Sequence, residues 1–185
     1  DKIRNKELKE ELKEAINNYF STLPKIKINN YEFDFNKKTY VMGILNVTPD
    51  SFYDGGKYLD IIKAKERVDE MIKEGVDIID VGGESTRPGS ERINEKEELR
   101  RVIPVIKEIR KDFDIPISID TYKEKVAEEA INAGANIIND ISGLVATNMV
   151  EVAKKYDVPV VIMHIMGNPK IMQKNPVYED VISDI

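Results

Sequence analysis

The spacing of apolar residues changes repeatedly along the chain, and these changes predict an alternation of strands and helices. Short apolar runs rich in Ile and Val predict five buried strands, at 40–45, 77–81, 116–119, 136–139 and 158–163. Segments between and after these runs carry apolar residues at steps of three and four, as amphipathic helices do. They predict helices at about 60–74, 95–112, 121–133, 148–156 and 177–185.

Turn and cap residues set the expected ends of these helices. Gly75 and Gly134 should each end a helix, because glycine readily takes the left-handed conformation found at helix C-termini. Pro104 should bend the helix at 95–112 or mark its true first turn. Two N-terminal caps are expected where a short polar residue is followed three positions later by glutamate, Asn94 with Glu97 and Thr121 with Glu124.

The residues before the alternating part predict a helix followed by a β-hairpin. Residues 3–20 have apolar side chains on one face and Lys and Glu on the other. We expect this helix to pack on its own domain, with docking to a partner or to an upstream domain as the alternative. Residues 25–40 alternate apolar and polar positions around Asn29-Asn30, as a hairpin does. The predicted domains are the helix, 1–24, and the remainder, 25–185.

Strands that alternate with helices predict a parallel α/β sheet, either a doubly wound open sheet or a (β/α)8 barrel. The Gly-rich loops after the first two strands are too long for a dinucleotide fingerprint, which opens directly into a helix. Each strand has a hydrogen-bonding or ionisable residue at or near its carboxyl end: Asn46, Asp80, Asp120, Asn139 and His164. Such ends converge at the mouth of a barrel, so we predict a TIM (β/α)8 barrel, truncated after about the fifth βα unit because roughly 250 residues are usual.

Composition narrows the function classes. The chain has 185 residues and a net charge of −6, which suits one sizeable core and argues against non-specific binding to nucleic acid or anionic membranes. It has no cysteine, which excludes disulfides and thiolate chemistry. No apolar run reaches the roughly 18 residues of a membrane span, and no signal peptide is visible, so we expect a cytoplasmic location.

Asp120 and Asn139 end neighbouring predicted strands and suit the flat edge of a heterocycle. A carboxylate accepts from a ring N–H and an amino group together, and an amide both donates and accepts. The alternative for either residue is a helix N-cap. Asn46 offers one neutral oxygen, which fits Mg²⁺ held largely by substrate phosphates; the alternative is a buried amide bonded to the backbone.

Three further side chains in or near the long loops are candidates. Arg87 presents a rigid fork for phosphate or carboxylate, with a surface salt bridge as the alternative. Asp54 would stabilise a developing cation, or would be an ordinary turn aspartate before Gly-Gly. His164, the sole histidine, is interpreted as a hydrogen-bonded residue at the barrel mouth rather than a general base. The sequence has no Ser/His/Asp arrangement and no histidine metal cluster.

Five motifs occur in an order that resembles the dihydropteroate synthase family of bacterial folate synthesis. They are GILNVTPDSFYDGG at 43–56, IIDVGGESTRPGS at 78–90, ISIDT at 117–121, NIINDISG at 136–143 and IMHIMGNPKIMQ at 162–173. The first two loops are specific to that family, and the next two motifs are shared with pterin-binding barrels in general. The resemblance implies a homodimeric TIM-barrel transferase and sulfonamide target that joins 4-aminobenzoate to 6-hydroxymethyl-7,8-dihydropterin pyrophosphate and releases pyrophosphate.

The resemblance also implies residue roles. Asn46 would hold Mg²⁺ with the pyrophosphate, and Asp54 would face the cation left when pyrophosphate departs. The remaining substrate contacts would be Thr86 and Arg87 for aminobenzoate and pyrophosphate, Asp120, Asn139 and Met163 for the pterin, and Phe52 as a wall of the aminobenzoate site.

Two departures from the family pattern stand out. Tyr53 occupies a position where a small residue is expected. The family's later strands, with a third pterin-binding Asp, a Lys and an Arg-x-His, are absent from this sequence, so we expect residues 1–185 alone to be inactive. The alternatives are a methyltetrahydrofolate:corrinoid methyltransferase, disfavoured because its chemistry has no pyrophosphate to hold, and a catalytically silent pterin-binding module.

Overall fold

The predicted helices and strands are present in the computed structural model, which describes residues 6–48, 56–85, 92–145, 147–164 and 176–184. The elements are α1 Lys6–Phe20, β1 Ile26–Ile28, β2 Tyr31–Phe33, β3 Met42–Asn46, α2 Gly56–Lys73, β4 Ile78–Gly82, α3 Glu95–Asp112, β5 Ile117–Asp120, α4 Glu124–Ala133, β6 Ile137–Asp140, α5 Thr147–Tyr156, β7 Val160–Ile162 and α6 Val181–Asp184. The backbone groups into two compact units, residues 1–39 and 40–185. The boundary predicted at residue 24 lies earlier, before the hairpin, and stays a prediction.

The first unit contains α1 and the hairpin. Strands β1 and β2 pair antiparallel, with Ile28 opposite Tyr31 and Asn29 at a φ of 51° in the turn, as predicted. The Asn36 side chain bonds both backbone groups of Leu23, at 3.1 and 2.8 Å. The large apolar side chains of α1 that the structure describes are exposed. The expectation that this helix packs on its own domain stays a prediction.

The second unit contains a five-stranded parallel sheet in which β3 to β7 pair in chain order. A doubly wound sheet reverses its strand order at a switch point, and these strands show no reversal, which agrees with the predicted barrel. One face of the sheet packs against the helices. Its apolar core includes the buried strand residues Leu45, Ile79, Val81, Ile117, Ile119 and Ile138 and the helix residues Ala64, Val68, Val102, Ile106, Ile109, Val126, Ala130 and Met149.

Three helices enter the following strand through the same tight turn. After α2, Val76 N–H donates to Met71 and Gly75 N–H to Ile72, with Gly75 at a φ of 96°. The same pair of bonds follows α4 around Gly134 and α5 around Asp157. This Schellman arrangement satisfies the last carbonyls of each helix and leaves only a few residues before the next strand. The predicted stops at Gly75 and Gly134 are confirmed.

The predicted starts of α3 and α4 have different outcomes. Asn94 Oδ1 accepts from Glu97 N–H at 2.9 Å, so this cap is confirmed, although the Glu97 carboxylate binds arginines of its own helix rather than returning to Asn94. Thr121 does not cap α4. Its hydroxyl accepts from Lys123 N–H at 3.2 Å, and this local turn delays the helix to Glu124.

Two further expectations about helix starts are also settled. Pro104 lies inside α3, so it does not mark the first turn. The C-terminal helix begins at Val181 rather than at 177. Asp180 precedes it and accepts from Ile182 N–H at 2.9 Å, which places the N-terminal boundary at this aspartate.

Arg110 makes several hydrogen bonds at the floor of the sheet, by which we mean the amino ends of the strands. Its guanidinium lies where α3, β5 and β6 meet. It donates to the carbonyls of Gly134, Phe113 and Ile115 at 2.8, 3.1 and 2.6 Å and also contacts Asn136 Oδ1. One half-buried cation therefore satisfies several backbone acceptors that no strand partner reaches.

We expect Gly134→Ala to destabilise the protein by about 1–3 kcal/mol or more, because a φ of 120° strains an L-residue. The new Cβ would also lie 2.6 Å from Arg110 Cγ. Gly75→Ala is the matched control, since Gly75 shares the positive φ but has no atom within 4 Å of its Cβ position. Urea unfolding of both variants measures the difference, and equal losses would show that the Arg110 contact adds nothing.

Candidate active site

Four residues form a row across the carboxyl ends of four adjacent strands. The parallel register pairs Asn46 of β3 with Gly82 of β4, Gly82 with Asp120 of β5, and Asp120 with Asn139 of β6. Residues paired in this way project to the same face of a sheet. The structure therefore brings together Asn46, Asp120 and Asn139, which the sequence analysis selected separately.

Gly82 leaves a gap in this row. A Cβ added at Gly82 would lie 3.3 Å from Asp120 Oδ2 and 3.7 Å from Asn46 Oδ1, so two oxygen atoms from different strands converge above it. Among the described residues, no group of three His, Cys, Asp or Glu side chains is placed to hold a metal. Exposed Asn46 fits the other mode, in which Mg²⁺ takes one or two protein oxygens and completes its shell from substrate phosphates and water.

Asp80 orients Asn139 from one layer below the row. It is buried in β4, and its Oδ2 accepts from Asn139 Nδ2 at 3.0 Å. Because this bond uses one amide N–H, the Asn139 carbonyl oxygen and second N–H remain for a ligand. The sequence analysis noted Asp80 near the carboxyl end of its strand but gave it no individual role.

Burial also leaves polar atoms unpaired beneath the row. Asp80 Oδ1 and Ser118 Oγ are buried without a hydrogen-bonding partner. Burial raises the pKa of Asp80, opposed by the nearby Ser118 hydroxyl and by Asn139. The Ser118 hydroxyl is close enough to favour the charged carboxylate but does not reach hydrogen-bonding geometry, so the bond from Asn139 is the contact that fixes Asp80.

Asp120 lies in a strongly acidic environment. Burial first, and then the charges of Asp80, Glu98, Glu84 and Asp140, raise its pKa to about 7. The group is therefore balanced between its neutral and charged forms near neutral pH. A ligand that donates hydrogen bonds to the carboxylate would favour the charged form.

Asp140, next to Asn139, shapes the backbone instead of facing the row. It is fully buried, and its carboxylate accepts from Ser142 N–H at 2.7 Å and Leu144 N–H at 3.0 Å. Its carbonyl accepts from Met163 N–H at 3.2 Å. Half-buried Met163 is thus held by its backbone beside the loop that follows β6.

The remaining candidates fall into two groups. His164 is exposed, and its Nε2 lies 3.1 Å from the Tyr178 hydroxyl, in agreement with the interpretation of a hydrogen-bonded residue at the mouth. Phe52, Asp54, Thr86 and Arg87 lie outside the described residues, as does Tyr53. The sequence analysis missed a cluster of three charged side chains, Glu84, Glu98 and Lys123. The cluster lies beside the carboxyl ends of β4 and β5, where Lys123 pairs with both glutamates.

Comparison with known proteins identifies the class to which this fold and row belong. A family model described as pterin binding enzyme matches residues 42–185. The chain belongs to this family of pterin-binding enzymes. None of the described helices combines the length and the apolar character needed to cross a bilayer.

Several relatives that the chain matches are dihydropteroate synthases. The enzyme of Clostridium beijerinckii is 57% identical over 161 residues, which cover 86% of this chain and 59% of the relative. The Yersinia pestis enzyme, solved as a sulfonamide drug complex, aligns with a TM-score of 0.77 at 43% identity, covering 87% of this chain and 58% of that one. The Clostridium difficile enzyme, solved with pteroic acid, gives 0.73 at 51% identity, covering 82% and 56%. The chain thus spans less than three-fifths of the length of these relatives.

The raised pKa of Asp120 predicts a pH-dependent stability. Because the folded-state pKa of about 7 exceeds the ordinary value of 3.8, the native state binds the extra proton between these values, and stability falls as pH rises through that window. Asp120→Asn removes this penalty. We expect its Tm to exceed that of the unchanged protein by at least about 2 °C at pH 8, a shift that ~1 kcal/mol gives in a domain of this size, and by much less at pH 4.

Glu151→Gln is the control, since Glu151 is an exposed carboxylate on α5 that pairs with Lys154. Calorimetry of both variants at the two pH values is the measurement. A Tm difference for Asp120→Asn that does not change with pH would contradict the assigned environment.

Proposed function

We propose that the protein acts as a dihydropteroate synthase, condensing 4-aminobenzoate with 6-hydroxymethyl-7,8-dihydropterin pyrophosphate. The row of Asn46, Gly82, Asp120 and Asn139 carries this proposal, because it combines a heterocycle-binding edge with an open oxygen-lined gap. The dihydropteroate synthases solved with a sulfonamide and with pteroic acid support it.

Asp120 and Asn139 bind the pterin edge. The carboxylate accepts from the ring N–H and the amino group, and these two donors pull the pKa of Asp120 below its value of about 7 in the free protein. Asn139, held by Asp80, presents its carbonyl oxygen beside the carboxylate. Met163 packs against the ring from the end of β7. The pterin is thereby fixed with its methylene carbon toward the long loops.

Asn46, Thr86 and Arg87 act at the other end of the substrate. Arg87 binds the pyrophosphate oxygens with its guanidinium fork, and Thr86 lines the aminobenzoate and pyrophosphate region. Asn46 would hold Mg²⁺ together with the pyrophosphate, and the bound ion would neutralise charge on the leaving group. The Arg87 guanidinium lowers the barrier to departure of pyrophosphate, because charge develops there in the transition state.

The proposed bond changes need no strong base. The bond between the pterin methylene carbon and the pyrophosphate oxygen breaks, and its electron pair leaves with pyrophosphate. Asp54 stabilises the resulting cation, while Phe52 walls the aminobenzoate site. The amine of 4-aminobenzoate then forms the new C–N bond and releases a proton. Sulfonamide binding in place of aminobenzoate, a homodimeric state and a cytoplasmic location belong to the same proposal.

Pterin recognition should depend on Asp120. We expect Asp120→Ala to weaken binding of a pterin analogue by roughly 10- to 100-fold, because a hydrogen bond to a charged group contributes about 1.5–3 kcal/mol. Isothermal titration with the protein as its gene encodes it measures this change. Asp112→Ala is the control, since that exposed carboxylate pairs with Lys65 on the helix layer. Unchanged affinity in Asp120→Ala would remove the assignment.

Asn46 and Arg87 should affect pyrophosphate and not the bare pterin. We expect Asn46→Ala and Arg87→Ala each to weaken pyrophosphate binding about tenfold, the effect of a lost contact worth ~1.4 kcal/mol. The Mg²⁺ dependence should diminish in Asn46→Ala. Arg100→Ala, which removes an exposed arginine paired with Glu97, is the control. Equal loss of the bare pterin in both variants would rule out a site with two functional ends.

A further inference from the structure

Three charged side chains form a mostly buried cluster beside the carboxyl ends of β4 and β5. Glu84 follows β4 and is 9% exposed, Glu98 belongs to the first turn of α3 and is 1% exposed, and Lys123 precedes α4. Lys123 Nζ lies 2.6 Å from Glu84 Oε2 and also contacts Glu98 Oε2. We call these three residues the Glu84 cluster.

Glu84 makes more contacts than a simple ion pair requires. Its carboxylate also accepts from the Tyr122 hydroxyl, at 3.1 and 3.3 Å, and from Ile93 N–H at 3.2 Å. Residues 84 and 93 stand on either side of the segment 86–91 in the sequence. The Glu84 carboxylate therefore links the residues on either side of the short segment whose sequence contains Thr86 and Arg87.

The same carboxylate also connects this segment to β5. Tyr122 and Lys123 follow Asp120 by two and three residues, so the bonds from Glu84 end beside the pterin-binding candidate. Arg92, at the end of the segment, stacks its guanidinium 5.0 Å from the centre of the Tyr122 ring, and Lys123 Nζ lies 4.6 Å from that centre. Displacement of the ends of the segment would break several contacts at once.

The stability of α4 does not explain why a lysine occupies position 123. It occupies the N-cap of α4, where Ser, Thr, Asp or Asn would satisfy free N–H groups, and its side chain makes no cap bond. A buried ion pair is weak evidence for stability, because desolvation of both charges opposes their attraction. The lysine instead reaches back to carboxylates of two other elements.

We propose that Glu84, held by Lys123 and Tyr122, is a positioning residue that fixes Ile93 and the chain after β4 against the end of β5. This inference rests on the proposed function. Glu84 touches no substrate itself; it acts by holding residues that stand on either side of Thr86 and Arg87 in the sequence. Its effect should therefore appear at the pyrophosphate and aminobenzoate end of the site and not at the pterin end.

Glu84→Gln is the principal variant, because it keeps the size of the side chain and leaves Lys123 paired with Glu98. In the protein as its gene encodes it, we expect the Kd for inorganic pyrophosphate with Mg²⁺ and the KM for 4-aminobenzoate each to rise about tenfold. At pH 8, where Asp120 is charged with or without the Glu84 charge, the Kd for 6-hydroxymethylpterin, which lacks the pyrophosphate, should change less than about twofold. This split separates positioning from a general loss of stability.

Two further variants complete the test. Tyr122→Phe removes one hydroxyl donor from Glu84 and should give a smaller change in the same direction, which keeps the inference testable should Glu84→Gln fail to fold. Glu128→Gln is the matched control, because Glu128 also pairs with lysines, Lys125 and Lys155, but lies on the outer helices. It should change none of the three constants.

The outcomes separate this inference from the proposed function. Unchanged pyrophosphate and aminobenzoate constants in folded Glu84→Gln and Tyr122→Phe would overturn the positioning role and leave the proposed function standing. Equal weakening at both ends of the site would also overturn it, since that result indicates a structural role only. Failure of the unchanged protein to bind pyrophosphate would overturn the proposed function and the inference with it.

Discussion

The parallel register of the sheet is the constraint on which the candidate site depends. Backbone hydrogen bonds between each pair of neighbouring strands from β3 to β6 place Asn46, Gly82, Asp120 and Asn139 in one row. Almost a hundred residues of sequence separate the first of these residues from the last. A shift of one residue in any strand would move its side chain to the helix-packed face. The buried Ile and Val residues of the opposite face prevent such a shift, because it would expose them to solvent. The apolar core therefore fixes the site as well as the fold.

Backbone groups at the two ends of the sheet have different hydrogen-bonding partners. At the floor, Schellman turns satisfy the last carbonyls of α2, α4 and α5, Arg110 satisfies three more, and the connections are short. At the mouth, buried carboxylates instead accept hydrogen bonds from backbone N–H groups: Asp140 from Ser142 in the loop after β6, and Glu84 from Ile93 at the far end of the segment after β4. After burial and the charges of Asp80 and Glu98, these two carboxylates also contribute to the raised pKa of Asp120. Structural support and the acid–base state of the candidate site are therefore coupled.

The sequence predicted the strands well because short runs rich in Ile and Val, set between amphipathic helices, have few other solutions. It also predicted Asn46, Asp120 and Asn139 as candidates from their places at strand ends. It did not predict contacts between distant residues: Asp80 meets Asn139 across 59 positions and Lys123 meets Glu84 across 39. Thr121 was assigned as a cap because its spacing to Glu124 fits a capping box, but its hydroxyl took the nearer backbone donor at Lys123. Spacing along the chain identifies candidate bonds without deciding which competing partner is closer.

Gly82 limits how this sequence can diverge. Unlike Gly75, Gly134 and Gly143, it does not have a positive φ, so its backbone would accept other residues. The limit comes from the space above it, where any Cβ would approach the oxygen atoms of Asp120 and Asn46. A mutation from glycine would therefore leave the core and the strand pairing intact while closing the gap in the row. Selection at this position would act on ligand binding alone, and a variant there would accumulate in the cell as a folded protein with a blocked site.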